Sequence, residues 1–245
     1  MQVRGTAALV TGGSRGLGAA LARELARRGA RVVVSARDAA ALERVVAEIR
    51  AAGGEAHALA ADMGRQEDML PLAGAAAALV GPIDLVVHNA STLGKVPLPL
   101  LLDTECEDFL RVLEVNLVGP FRLTKALAGS MQLRGRGLVV AVSSDAAVTP
   151  YEGWGAYGVS KAALDHLVRI WAAELGRSGV RVLSVDPGEM DTDMHAEAIP
   201  GADRAALAAP ADVAARLADL IEAADGIESG SRLEVISWGR AALAS

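Results

Sequence analysis

The chain has 245 residues, 52% of them hydrophobic, with 24 Lys+Arg against 30 Asp+Glu and a formal net charge of −6. That balance excludes a disordered chain, which combines low hydrophobicity with high net charge, and it offers no global positive field to a nucleic-acid backbone. Three Trp, two Tyr and two Phe leave the core to Ala, Val, Leu and Ile, and leave too few rings for the stacking platforms of single-stranded nucleic-acid binding.

Seven short apolar runs suit buried parallel strands: Thr6–Val10, Arg31–Ala36, Glu55–Ala60, Asp84–His88, Gly137–Ser143, Val180–Asp186 and Arg232–Ile236. Helical stretches rich in Ala, Leu, Arg and Glu lie between them, at Leu17–Arg28, Ala39–Ala52, Gln66–Leu79, Glu105–Gln132, Ala156–Arg177 and Ala211–Ala224. Gly29, Gly53–Gly54 and Gly81 follow helices, where glycine suits a left-handed cap. The alternation predicts an α/β fold with a parallel sheet of about seven strands covered by helices on both faces. No linker composition or long charge run interrupts it, so a single domain over 1–245 is expected. The least regular stretch, 189–210, follows a predicted strand. It has two readings, part of a ligand site or a surface loop.

The longest apolar stretch, Met69–Val87, contains Pro71, Gly81, Pro82 and Asp84, and so reads as helix, turn and strand rather than a membrane span. The apolar run Ala7–Val10 is too short for a signal-peptide core. Cys106 is the single cysteine, which excludes an internal disulfide, and with four scattered His it makes no structural zinc site. No metal is expected. A soluble protein of the reducing cytoplasm is.

Thr11-Gly12-Gly13-Ser14-Arg15-Gly16-Leu17-Gly18 joins the first predicted strand to the first helix. In that setting Gly12 permits a tight turn, Gly16 lets the backbone approach a pyrophosphate, and Gly18 allows close helix–strand packing. The helix N-terminus adds N–H groups and the positive end of its dipole. A glycine pattern alone also fits a purely structural turn; no Gly-Lys-Ser/Thr follows, which excludes a P-loop. The second strand ends Val34-Ser35-Ala36-Arg37, with no carboxylate at the place that usually holds ribose hydroxyls. Arg37 and Arg15 instead suit a 2′-phosphate, so NADP(H) is expected in preference to NAD(H), although surface arginines are common in this chain.

Tyr157 and Lys161 stand four apart in a predicted helix and share a face. A neighbouring ammonium favours a phenolate and would pull the tyrosine toward useful acid–base chemistry; the same spacing also arises on solvated helix faces. Ser144 ends the strand leading toward that helix, where a substrate oxygen could meet both hydroxyls.

With these motifs in this order the chain resembles the classical short-chain dehydrogenase/reductase family over nearly its whole length. Thr11–Gly18 matches the family's glycine turn, and Asp62 after the third strand matches the acidic residue at the adenine, with Met63 beside it. Asn89-Ala90 matches part of Asn-Asn-Ala-Gly. Asn116, Ser144, Tyr157 and Lys161 match the catalytic tetrad, with the family's thirteen-residue Ser-to-Tyr interval, and Pro187-Gly188 with Met190 and Thr192 resembles the nicotinamide carboxamide segment.

The resemblance implies a Rossmann-type doubly wound sheet and hydride transfer between NADP(H) and a carbonyl or secondary alcohol. Tyr157 would be proton donor and Ser144 the hydrogen-bond partner of the same oxygen. Lys161 would hold the nicotinamide ribose and depress the Tyr157 pKa, and Asn116 would support a proton-relay water. It also implies a homodimer or homotetramer through the helices over 105–132 and 156–177.

Thr92, Leu93, Ala146, Tyr151, Trp154, Met194 and His195 are expected to face the substrate. They suit a moderately apolar compound with some polar function, such as a quinone, ketoacyl compound, steroid or aldehyde. The chain departs from the family at His88 and Ser91, where Asn and Gly are usual. It departs again at the last strand, Ser229–Val235, which lacks the following Asp-Gly-Gly, and in the acidic run Glu189, Asp191, Asp193. His88 either fills a strand end or donates to a backbone carbonyl, and Ser91 would narrow the nicotinamide space. A catalytically idle NADP(H)-binding sensor on the same fold is the alternative, disfavoured because all four tetrad residues are present.

Overall fold

The computed structural model describes residues 1–238; the last part of the 1–245 domain expectation lies outside the described residues. Seven parallel strands form one sheet in the order β3-β2-β1-β4-β5-β6-β7. They are β1 (Ala7–Thr11), β2 (Arg31–Ala36), β3 (Glu55–Ala60), β4 (Leu85–His88), β5 (Gly137–Val142), β6 (Val180–Asp186) and β7 (Arg232–Glu234). The helices are α1 (Gly16–Arg27), α2 (Ala39–Ala51), α3 (Gln66–Val80), α4 (Cys106–Leu113), α5 (Gly119–Leu133), α6 (Gly155–Leu175), α7 (Asp193–Ala198) and α8 (Pro210–Ala223).

Strand alternation sorts the core into two layers, because successive side chains leave opposite faces of a strand. Ala8 and Val10 of β1 join Val32 and Val34 in a cluster with α1, α2 and α8. Ala7, Leu9 and Val33 enter a second cluster with α3, α5 and α6. Both faces are thus covered, as the near-continuous apolar runs predict. Both layers are aliphatic, held by Ala, Val, Leu, Ile and Met with no buried ring.

Three expectations change. The helix expected over 105–132 is broken by a π turn at Glu114–Val118, and α5 restarts with Pro120 in its first turn, where proline's missing N–H costs nothing. The last strand is three residues long rather than five. The stretch 189–210 is more ordered than a plain loop: it carries α7, a 3-10 turn at Arg204–Ala206 and a bridge between Met190 and Ala208.

The strand order reverses between β1 and β4. In open sheets of this kind ligands bind in the crevice outside the strand ends at that reversal.

Candidate active site

A cavity of about 1350 Å³ opens at the carboxyl ends of the strands. At its β1–β4 edge the two strand ends are stitched together. Thr11 Oγ1 accepts from the N–H groups of Asn89 and Ala90, both at 3.1 Å, while Asn89 Nδ2 donates to the carbonyls of Thr11 (3.0 Å) and Gly12 (3.2 Å). Gly12 has φ +67°, and a Cβ there would sit 2.7 Å from Asn89 Nδ2. A Cβ on Gly18 would lie 2.3 Å from the Gly12 carbonyl oxygen, which is the close helix–turn packing read from the motif. Gly18 itself packs behind the turn, whereas Gly12, Ser14, Arg15, Gly16 and Leu17 line the cavity. Arg15 provides no side-chain cap for α1, so the helix presents its first N–H donors uncapped. Backbone donors, a cradle that a Cβ would fill, and a helix N-terminus fit a pyrophosphate.

Arg37 lines the far end of the cavity, together with Arg23 and Arg44. Arg15 Nη1 stands 3.3 Å from Asp193 Oδ2 on the opposite rim. Asp62 and Met63 line the same end, and the Asp62 carboxylate is held 2.7 Å from Arg111 Nη2 of α4. Burial raises the Asp62 carboxyl, but the Gly64 N–H and Arg111 outweigh it and hold it below the ordinary value.

At the other end β5 delivers Ser144 and α6 delivers Tyr157 and Lys161, all lining the cavity. Tyr157 is 8% and Lys161 2% exposed. Lys161 Nζ donates to the Val142 carbonyl at 2.8 Å and lies 5.5 Å from the Tyr157 ring centroid. Ser144 Oγ donates to Asp145 Oδ1 at 2.9 Å, and Tyr151 OH donates to Asp145 Oδ2 at 2.8 Å. Burial raises the Asp145 carboxyl, yet Tyr151, Ser144 and the Ala146 N–H together hold it low.

The Tyr157 phenol stands above its ordinary value rather than below it. Burial pushes the phenol up to about 12, against the Ser144 and Ser91 hydroxyls, which favour the phenolate, and with the Asp186 and Asp145 charges raising it further. Burial also pulls the Lys161 ammonium down to about 8. Desolvation opposes charge on both groups and is the largest influence on each.

Asn116 is 1% exposed, and its side chain is spent on framework bonds. It accepts from Thr92 N–H (2.9 Å) and donates to the Thr92 carbonyl (2.9 Å) and Ser160 Oγ (3.0 Å). The side chain therefore fixes the segment after β4: both amide hydrogens are used, and Oδ1 keeps one acceptor position beyond the Thr92 N–H. Pro187, Gly188, Met190 and Thr192 line the cavity, and Thr192 caps α7 by accepting from His195 N–H.

Of the substrate-facing set, Thr92, Leu93, Tyr151, Trp154, Met194 and His195 line the cavity. Ala146 packs behind the wall with Leu93 and Tyr157, a correction that follows from its small side chain beneath larger neighbours. Trp154 makes edge contacts with both tyrosines, at centroid distances of 6.4 Å to Tyr151 and 5.7 Å to Tyr157.

His88 fills a strand end at 3% exposure, but its Nε2 pairs with Thr124 Oγ1 at 2.8 Å instead of a backbone carbonyl. Burial pulls it down to about 3, so it is neutral. Ser91 lines the cavity with a buried hydroxyl that makes no well-formed hydrogen bond.

Sequence reasoning missed Arg23 and Arg44, although Arg44 lies within the first two turns of the helix that follows Arg37 and could have been found by helical spacing. It also missed Arg232, Asp165 and Asp186, whose pairing joins segments 46 and 67 residues apart and leaves no local signal.

The family model described as short chain dehydrogenase matches residues 6–203. The 7alpha-hydroxysteroid dehydrogenase of Escherichia coli (strain K12) is 35% identical over 193 residues, 79% of this chain and 74% of the relative. A metagenomic short-chain oxidoreductase solved in complex with NADP superposes with a TM-score of 0.80 at 34% identity, covering 96% of this chain and 98% of that one. A 7alpha-hydroxysteroid dehydrogenase complexed with NADH and 7-oxo glycochenodeoxycholic acid does so with a TM-score of 0.87 at 32% identity, covering 95% and 94%. With the matched model spanning most of the chain and a seven-stranded doubly wound sheet beneath it, the protein belongs to the short-chain dehydrogenase/reductase family of oxidoreductases.

Proposed function

We propose that the protein is an NADP(H)-dependent oxidoreductase that interconverts a carbonyl and a secondary alcohol, working mainly as a reductase. The observation that carries this reading is one cavity with a glycine turn and uncapped helix N-terminus at one end and Ser144, Tyr157 and Lys161 together at the other.

Gly12, Ser14, Gly16, Leu17 and the turn behind them would hold the pyrophosphate, with Asn89 and Ala90 bracing it and Asp62 and Met63 beside the adenine. Arg15, Arg37 and Arg44 at the far end favour a 2′-phosphate, because guanidinium forks suit its charge and geometry. Pro187, Gly188, Met190 and Thr192 would hold the carboxamide end. The bound nicotinamide supplies the hydride. Tyr157 gives its proton to the carbonyl oxygen, and Ser144, released from Asp145, donates to that oxygen and stabilises its developing charge. Lys161 holds a proton at Nζ beside Tyr157.

Leu93, Trp154 and Met194 make an apolar wall, while both ring nitrogens of His195 are buried without a hydrogen-bond partner, Nε2 lying 3.6 Å from Glu189 Oε1. Such a lining suits a small, moderately apolar carbonyl compound with one polar function. Large side chains exposed along the flank, among them Leu102, Leu110, Val159 and Ile170, support a homodimer or homotetramer, and size-exclusion chromatography with light scattering reads that state. No helix among the described residues is long and apolar enough to cross a membrane, and exposed Cys106 is free; both accord with work in the cytoplasm.

The test is NADPH oxidation against a panel of aliphatic, aromatic and steroid ketones and aldehydes. Turnover with at least one substrate class is expected. Tight NADPH binding with no turnover across the panel would instead identify a nucleotide-binding sensor.

A further inference from the structure

Behind the proposed catalytic residues lies a cluster of four charged side chains drawn from three elements. Asp165 and Asp186 are each 7% exposed and Lys161 2%; the Arg232 side chain is 24% exposed. Arg232, at the start of β7, donates from Nε to Asp165 Oδ2 at 3.1 Å. Its Nη2 donates to Asp186 Oδ2 at 2.8 Å and to the main-chain carbonyl of Ser144 at 2.9 Å.

Each acceptor leads to a different part of the site. Asp165 stands one helical turn beyond Lys161 on the same face of α6, and its other oxygen accepts a short hydrogen bond from Ser184 Oγ of β6. Asp186 ends β6, and its second oxygen accepts from the Gly188 N–H at 3.0 Å, so it shapes the Pro187-Gly188 turn. The Ser144 carbonyl belongs to the residue whose hydroxyl faces the substrate.

Two cations and two carboxylates make the cluster neutral. Buried charges survive when each is paired and hydrogen-bonded, and one left alone costs several kcal/mol or changes its protonation. A guanidinium can reach three acceptors in fixed directions, which an ammonium cannot. This chain lacks the usual Asp-Gly-Gly after the last strand, and its short β7 instead brings a guanidinium into the back of the site.

We propose that Arg232 is a positioning residue: by binding Asp165, Asp186 and the Ser144 carbonyl at once, it holds the α6 Tyr157–Lys161 pair in register with Ser144 and keeps the buried charge around them balanced. The proposal rests on the reductase reading for its consequence in turnover, but its electrostatic part stands without it.

The charge that acts on Lys161 is Asp165, one turn along α6; the Tyr157 ring lies beside it, the Asp186 and Asp145 charges act on that phenol, and Arg232 reaches the group by pairing with Asp165 and Asp186. The neighbouring groups from the segment after β4 and from the π turn, Ser91 and Asn116, are neutral. Asp165 already acts to raise Lys161 against a larger burial effect, which leaves it at about 8. Removing the Arg232 charge leaves Asp165 without its guanidinium partner, so its charge acts more fully on Lys161, which must then hold its proton to higher pH. Removing the Asp186 charge leaves Arg232 to Asp165 alone, which offsets more of the Asp165 charge, and Lys161 must lose its proton at lower pH.

The chain has three lysines, Lys95, Lys125 and Lys161, so selective ¹³Cε labelling gives a readable NMR spectrum, and Lys161→Met identifies the Lys161 signal. Arg232→Met should move the Lys161 midpoint up by about one unit and lower kcat about tenfold. Asp186→Asn, which keeps one carboxylate for the guanidinium and so retains a paired core, should move it down. Arg232→Lys should leave the midpoint in place while kcat falls, because the charge remains and the fork does not.

An unmoved midpoint in folded Arg232→Met overturns the proposal, and if that variant does not fold, an unmoved midpoint in Asp186→Asn overturns it. Moved midpoints with wild-type kcat in an active enzyme overturn the positioning role. If the protein turns over no carbonyl substrate at all, the reductase reading fails while the Lys161 titration still decides the coupling.

Discussion

The two ends of the cavity are built by different means. The glycine-turn end is made of backbone: tight φ angles, main-chain carbonyls clasped by Asn89, and helix donors that no side chain caps. The Ser144–Tyr157–Lys161 end is made of side chains; Tyr157 and Lys161 are buried, and their protonation is set by burial and by the carboxylates around them. A backbone site tolerates change in the side chains around it but not an added Cβ. A side-chain site tolerates small shifts in backbone but not a lost proton or an unpaired charge.

Four substitutions test that contrast, in descending order of expected effect. Tyr157→Phe should remove about 10²–10⁴-fold of carbonyl reduction while NADPH still binds, as read by fluorescence titration; unchanged turnover would sink the assignment of Tyr157 as proton donor. Gly18→Ala should lower stability by about 3 kcal/mol, because its Cβ meets the Gly12 carbonyl at 2.3 Å and backbone cannot step aside. A denaturation midpoint equal to wild type would show that the turn is softer than its contacts imply.

His88 makes a third test. Its folded-state pKa, about 3, lies well below the ordinary 6.5, so the unfolded chain takes up the proton first and stability is lost as pH falls from about 6.5 toward 3. At pH 5 the loss attributable to His88 should be about 2 kcal/mol. His88→Asn should flatten the stability profile across that window, and an equal slope in both proteins would count against a buried neutral ring. The smallest effect is expected at the backbone end, where Arg37→Ala should reduce the preference for NADPH over NADH about tenfold; a preference for NADH in the wild-type protein would reverse the cofactor reading.

How far the sequence could be read follows the same division. The glycine turn and the Tyr157–Lys161 spacing were legible because each lies within one turn or one helix, where chain geometry alone fixes neighbours. The π turn at Glu114–Val118 was not, since the apolar period runs through it and reads as one helix. Nor was the bracing of the Asn116 side chain, because Thr92 and Ser160 reach it from 24 and 44 residues away. The three rings at Tyr151, Trp154 and Tyr157 could be seen to cluster, but not that the Tyr151 hydroxyl would donate to Asp145.

By itself, then, the sequence determined the aliphatic core, the seven alternating strands and helices, and the local motifs, because hydrophobic period and glycine conformation act over a few residues. Only the tertiary structure decided which charges meet. The crossover that sets β1 beside β4 and carries β6 and β7 to the far side brings Arg232 against Ser144 across 88 residues. It also buries Tyr157 and Lys161 in the cavity wall, where desolvation raises the phenol and lowers the ammonium.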